Sequence, residues 1–154
     1  MRTTLTLFVL TAMLLANGMF AQHTLDKKSN PETNTISNKP GHRIVFQLTT
    51  SDTMAHKSLM KQLANIKSVA PDTKIEVICH GPGLDMLIKN KTIVQDKIIS
   101  AKEKGVEFVA CEFSIKERKL DKSIIISEAG FVPAGIIEIV SKQEEGWSYI
   151  KAGF

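Results

Sequence analysis

Two cysteines and a histidine stand at the ends of two strand-like runs, and they are the residues of this sequence with the widest chemical reach. Lys74-Ile75-Glu76-Val77-Ile78-Cys79-His80 leads into Gly81-Pro82-Gly83, and Gly105-Val106-Glu107-Phe108-Val109-Ala110-Cys111 leads into Glu112-Phe113-Ser114. A thiolate attacks sulfur donors and disulfides, and an imidazole exchanges its proton near neutral pH. Apolar runs of this length, rich in β-branched residues and followed by turn or helix signals, read as buried parallel strands. In parallel α/β sheets the ligand crevice lies beyond the carboxyl ends of the strands. Thiol chemistry at that rim is therefore the leading expectation.

Cys111 is the sharper candidate. At a strand-to-helix junction its sulfur faces the unpaired N–H groups of the next turn, whose partial positive charge favours a thiolate. Lys116, Arg118 and Lys119 follow and would add positive potential, whereas Glu112 opposes it if its carboxylate points inward. The competing reading is an inert cysteine closing a buried strand. Cys79 shares a sheet face with Val77, which favours burial. If the two strands are neighbours, Cys79 is also a possible redox partner for Cys111, provided the Cα atoms lie roughly 4.4–6.8 Å apart. His80 projects to the face opposite Cys79, at the mouth of the glycine turn, as a base toward a thiol, a donor to an anion, or a residue bonded to loop backbone. No Ser/His/Asp arrangement, paired carboxylates, P-loop or dinucleotide pattern is present, so no cofactor is expected. Only Cys79, His80 and Cys111 are candidate zinc ligands, fewer than a closed structural site uses, and no metal is expected.

These residues need a scaffold, and the rest of the sequence supplies one. Arg43 to Thr50 reads as the first strand, and Ser51 or Asp52 is placed to cap a helix carrying Met54, Leu59, Met60, Leu63 and Ile66. Pro71 stops that helix before the second strand. After the glycine turn, Leu84, Leu87 and Ile88 share one face of a short helix. A helix from Ile93 to Lys104 ends at Gly105 and leads into the third strand. A short helical segment from Ser114 to Leu120 and a buried piece at Ile124-Ile125-Ile126 follow. Phe131-Val132-Pro133 reads as a strand, Ala134 to Glu145 as a helix, and Trp147-Ser148-Tyr149-Ile150 as the last strand. The alternation predicts a three-layer α/β/α fold with a mostly parallel five-stranded sheet.

Not all of the 154 residues belong to that unit. Residues 1–21 have the form of a secretory signal peptide: Arg2, an apolar stretch from Leu5 to Leu15, then small residues at Ala16, Gly18 and Ala21. The stretch is shorter than the roughly 20 residues of a spanning helix. The expectation is an exported, periplasmic protein with no stable membrane insertion after cleavage; a retained N-terminal anchor is the alternative. Residues 22–41 are polar and turn-rich and read as a flexible linker. Residues 42–154 form one domain. The net charge of +4 comes from 20 basic and 16 acidic residues that are interspersed, without an aromatic-interleaved basic stripe, so no nucleic-acid partner is expected.

His80-Gly81-Pro82-Gly83, the run ending at Cys111, Val132-Pro133-Ala134-Gly135 and Gly146-Trp147-Ser148-Tyr149-Ile150-Lys151 together resemble the DsrE/DsrF-like family, across residues 42–154. The nearest likeness is to its small branch with an HGPG segment and a later single-cysteine motif. The resemblance implies a three-layer α/β/α domain that assembles as a homotrimer or homohexamer. It also implies that Cys111 is the catalytic position, carrying sulfur as a persulfide between a donor and an acceptor protein. Ser114 falls where the pattern usually has threonine, whereas Glu112 and Phe113 depart from it. His80, Gly81, Gly83 and Ser114 are the expected pocket residues. The alternative function is a non-catalytic oligomeric module that binds a small anionic ligand or a protein partner.

Overall fold

The computed structural model describes residues 41–153. The signal-peptide and linker assignments lie outside the described residues, apart from Gly41. Among the described residues no helix is long and apolar enough to cross a membrane.

Five strands form one sheet: β1 Arg43–Leu48, β2 Lys74–Cys79, β3 Val106–Cys111, β4 Gly130–Val132 and β5 Ser148–Ala152. Their order is β4-β3-β2-β1-β5, and every neighbouring pair is parallel. Each crossover carries a helix: α1 Thr53–Val69, α2 Gln95–Glu103, α3 Glu112–Glu117 and α4 Gly135–Glu144. The expected three-layer α/β/α arrangement is therefore the observed one. The winding accounts for the layers. β1 to β4 step steadily toward one edge, and then the chain doubles back to place β5 beyond β1. Parallel crossovers are right-handed, so reversing the direction of travel moves the connecting helix to the other face.

The burial pattern agrees. Phe46, Leu48, Val77, Cys79, Phe108 and Ala110 pack with Leu59, Met60 and Leu63 of α1 and Ile98 of α2 in the main core. Val45, Ile78 and Val109 point the other way, toward Ile139 of α4 and Trp147. Glu76 is buried in that second layer and pairs with Lys142 of α4 at 2.9 Å. Desolvation raises its carboxyl pKa despite the lysine.

Most expected elements appear, with ends shifted by one to three residues. Asp52 is the N-cap of α1, accepting from Met54 N–H at 2.7 Å. Met54, placed on the apolar face by its spacing, is instead 60% exposed, and Ala55 and His56 are the buried residues of the first turn of α1. The segment after His80 is a 3₁₀-helix, Gly81–Leu87, with the glycines inside it rather than in a preceding turn.

Candidate functional site

The site begins with a close approach of two chain segments. β3 ends at Cys111, which is also the N-cap of α3, and the first turn of α4 lies directly over it. A Cβ on Gly135 would stand 3.3 Å from the Cβ atoms of both Cys111 and His80, and 3.1 Å from Ile78 Cγ2. The bare Cα of Gly135 therefore lets α4 descend far enough for its N–H to donate to Cys111 Sγ at 3.2 Å. Cys111 is 4% exposed, and it lines an open pocket of about 400 Å³ with His80, Phe113, Ser114, Glu117 and Ile136.

Burial pushes the Cys111 thiol up. The Ser114 hydroxyl, the Gly135 N–H and the Ser114 and Phe113 amides outweigh that effect and hold the thiol below its ordinary value. The Phe113 amide is shared, since it also donates to Pro133 O at 3.2 Å. The Ser114 contribution has a direction built into it. Gly81 N–H donates to Ser114 Oγ at 2.8 Å, which leaves the serine proton to turn toward sulfur.

That Gly81 peptide is held from both sides. Arg118 Nη1 donates to its carbonyl at 2.9 Å, and Arg118 Nη2 binds Asp85 Oδ1 at 2.6 Å. Lys91 reaches the same carboxylate at 2.9 Å. Gly81 has φ of 53°, in the left-handed region that glycine occupies without steric cost. Gly83 meets a different demand, because a Cβ there would lie 2.1 Å from the Leu48 carbonyl oxygen. One glycine thus bends the segment and the other lets it lie against the end of β1.

His80 faces the same layer as Cys111 and is tied to residues that sequence spacing did not single out. Its Nε2 lies 2.7 Å from Gln47 Nε2, and Gln47 Oε1 accepts from the Tyr149 hydroxyl. Because the tyrosine occupies the amide oxygen, Gln47 presents its NH₂ to the ring. His80 Nε2 is then an acceptor, and the ring proton sits on Nδ1. Desolvation lowers the His80 pKa in the same sense, so the ring is neutral at neutral pH. A role as general base through Nε2 would require breaking this chain.

Cys79 is buried, as its shared face with Val77 favours, and the structure does not pair it with Cys111 as a redox partner. Both are free, and β2 aligns Cys79 with Ala110 rather than with Cys111. One residue further along a pleated strand, Cys111 points to the opposite face. Cys79 is sealed in the main core, where desolvation raises its thiol pKa far above the usual range. Glu112 also behaves differently from an inward carboxylate. It pairs with Lys122, which sits 5.2 Å from the Phe131 ring centroid. Arg118 is committed to Asp85 and Gly81, so the sulfur owes its stabilisation to hydrogen-bond donors rather than to nearby cations. Among the described residues there is no group of three or more His, Cys, Asp or Glu suited to a metal ion.

The DsrE/DsrF-like family model matches residues 42–152, which spans the whole sheet and the site above it. The chain belongs to this family. Two solved structures share the fold of this DsrE/DsrF-like protein. One is a protein of unknown function from Methanobacterium thermoautotrophicum, 24% identical, with a TM-score of 0.68 over 71% of this chain and 98% of the other. The second, a conserved protein of unknown function from Bacteroides thetaiotaomicron, is 19% identical, with a TM-score of 0.60 over 71% and 93%. No curated protein matches.

Within the DsrE/DsrF-like domain the structure brings together Cys111, His80, Gly81 and Ser114, and sets Gly83 and Cys79 apart as packing residues. Gln47, Tyr149, Gly135, Asp85 and Arg118 complete the surroundings. Gln47 left a faint trace in the sequence, as the one polar side chain inside the run Ile44-Val45-Phe46-Gln47-Leu48. Gly135, directly after Pro133-Ala134 at the start of a helix, left another.

Proposed function

We propose that this protein is a sulfur carrier in which Cys111 accepts and passes on a sulfane sulfur. The observation that carries the reading is the Cys111 sulfur itself, which lines an open pocket while donors from Gly135 and Ser114 favour its ionised form. A thiolate of this kind attacks the outer sulfur of a donor persulfide, R–S–SH. The donor S–S bond breaks, the new bond forms at Cys111 to give Cys111–S–SH, and R–S⁻ leaves with the electron pair. An acceptor thiolate then attacks the outer sulfur and returns Cys111 as a thiolate, so no external oxidant or reductant is consumed. His80 supplies a neutral wall with its Nδ1 proton available, and the Gly81 segment orients Ser114.

Intact-mass measurement on the reduced, folded protein after exposure to polysulfide tests this. One added sulfur atom per chain is expected for the natural sequence and for Cys79→Ser, and none for Cys111→Ser. Sulfur uptake that survives in Cys111→Ser would overturn the assignment.

The same reading places the protein outside the cytoplasm, supported by the charged, apolar and small-residue pattern of residues 1–21. It also makes the protein a homotrimer or homohexamer with a separate donor or acceptor protein. Phe113 and Ile136 expose apolar side chains at the Cys111 pocket, and Ile137 and Val140 are exposed further along α4. Exposed apolar side chains beside a pocket are the kind of surface that an interaction covers. Light scattering should return a trimer or hexamer mass, reduced by Ile137→Glu, which puts a charge at a position 63% exposed in the single chain. A monomer at every concentration would remove the oligomer from the proposal.

A further inference from the structure

On the opposite side of the sheet, away from Cys111, a groove of about 510 Å³ runs between α1 and α2. Its floor is apolar, formed by Met60 and Leu63 of α1, Ala101 of α2 and Val106 at the start of β3. Its rim is basic on both sides. Lys57 and Lys61 rise from α1, Lys97 and Lys104 from α2 and the residue after it, and Lys67 closes one end.

The helix periodicity explains the stripe. Lys57, Lys61 and Ala64 follow one face of α1 at spacings of four and three, and Lys97, Ser100, Ala101 and Lys104 follow one face of α2. α1 contains no acidic residue, and no carboxylate lines the groove. Among the described residues, Lys57, Lys61, Lys97 and Lys104 have no salt-bridge partner, although Lys91, Lys122 and Lys142 pair with carboxylates elsewhere in the protein. Lys67 alone is engaged, donating to Pro71 O at 3.1 Å and Thr73 O at 2.6 Å. Like charges at successive turns repel, and a concave site lined by one sign focuses its field on an incoming counter-ion.

Three classes of occupant fit unequally. A small inorganic anion would satisfy the lysines but leave the floor against water. A neutral hydrocarbon would cover the floor and leave the lysines uncompensated. A second protein's amphipathic helix, about 10–12 Å across, exceeds a groove whose volume is that of a small-molecule site. We infer that the α1–α2 groove binds a free single-chain amphiphilic carboxylate, with its hydrocarbon along the apolar floor and its anionic head held between the lysines of the two helices. This site is separate from Cys111, and its occupancy does not depend on sulfur chemistry.

Calorimetric titration of the purified protein with dodecanoate, kept below its micelle concentration, tests the inference. Saturable binding of one dodecanoate per chain is expected, weakened by added salt as screening grows. The double variant Lys61→Glu/Lys97→Glu should weaken it at least tenfold. Ala64→Trp fills the groove from an exposed position and should abolish it, while leaving Cys111 alkylation unchanged as evidence of an intact fold. Dodecyltrimethylammonium, with the same chain and the opposite charge, should not bind. The inference is overturned by an absence of saturable dodecanoate binding or by equal binding of the cationic amphiphile. Insensitivity to the groove variants would also overturn it, as would association with anionic lipid vesicles without binding of free dodecanoate.

Discussion

Replacing Gly83 with alanine is expected to lower the melting temperature by about 15 °C or more. The added Cβ would stand 2.1 Å from the Leu48 carbonyl oxygen and 2.6 Å from its carbonyl carbon. Both are backbone atoms of β1, which pairs with a strand on either side, and the oxygen accepts from His80 N–H at 3.1 Å, so they have no soft direction in which to retreat. Relief must come from lifting the Gly81–Leu87 segment off the sheet. That movement would expose Leu84, Met86 and Leu87, which are fully buried. Each such side chain contributes roughly 1.5–3 kcal/mol when buried, against a total stability of about 5–15 kcal/mol. A thermal melt followed by circular dichroism checks the effect, and a transition within a few degrees of the natural protein would show that the segment adapts. Gly81→Ala should be milder. Nothing lies within 4 Å of a Cβ there, and its cost comes from the positive φ alone, roughly 1–2 kcal/mol.

Ser114→Ala is expected to move the pH midpoint of Cys111 alkylation upward and to slow the reaction below that midpoint. The hydroxyl is one of the groups that hold the thiol pKa down against desolvation. A hydrogen bond to a charged group contributes about 1.5 kcal/mol or more, which corresponds to about a tenfold loss of thiolate below the midpoint. A less acidic thiol is intrinsically more nucleophilic, and that recovers about threefold. Below the midpoint the net slowing is therefore about threefold, with a faster limiting rate at high pH. The crossing of the two rate profiles separates lost thiolate stabilisation from simple unfolding. Removing the hydroxyl also strands the Gly81 N–H, at a cost of about 1–3 kcal/mol in stability. Ser114→Thr keeps an acceptor and a proton in place and should restore the low midpoint. A profile identical to that of the natural protein would remove Ser114 from the site.

Much of the scaffold is legible before folding. The alternation of apolar runs and helix patterns sets out the α/β order, and the strand-end positions of Cys111 and His80 already put both at the rim. The spacing rule within one strand also places Cys79 and His80 on opposite faces. The register between strands is not written in either strand alone. A shift of one residue between β2 and β3 would have brought the two cysteines to the same face. The observed pairing of Cys79 with Ala110 leaves them on opposite sides of the sheet. Contacts far apart along the chain were equally hidden, as with Tyr149 and Gln47 or Gly135 and Cys111. Glu112 shows the same limit at short range. Its neighbour in sequence is a thiol, but its partner in space is Lys122.

The rate of sulfur uptake at Cys111 as a function of pH, followed by peptide-mapped mass spectrometry with polysulfide in excess, bears most directly on the proposed function. The donors around the sulfur favour the ionised form, so the thiolate is lost only as pH falls through a value below that of an ordinary thiol. The expected result is a single added sulfur, confined to the peptide containing Cys111, at a rate whose pH midpoint lies below that of an ordinary thiol. No added sulfur on Cys111, sulfur found on Cys79 instead, or a rate that rises only above the ordinary thiol range would contradict it.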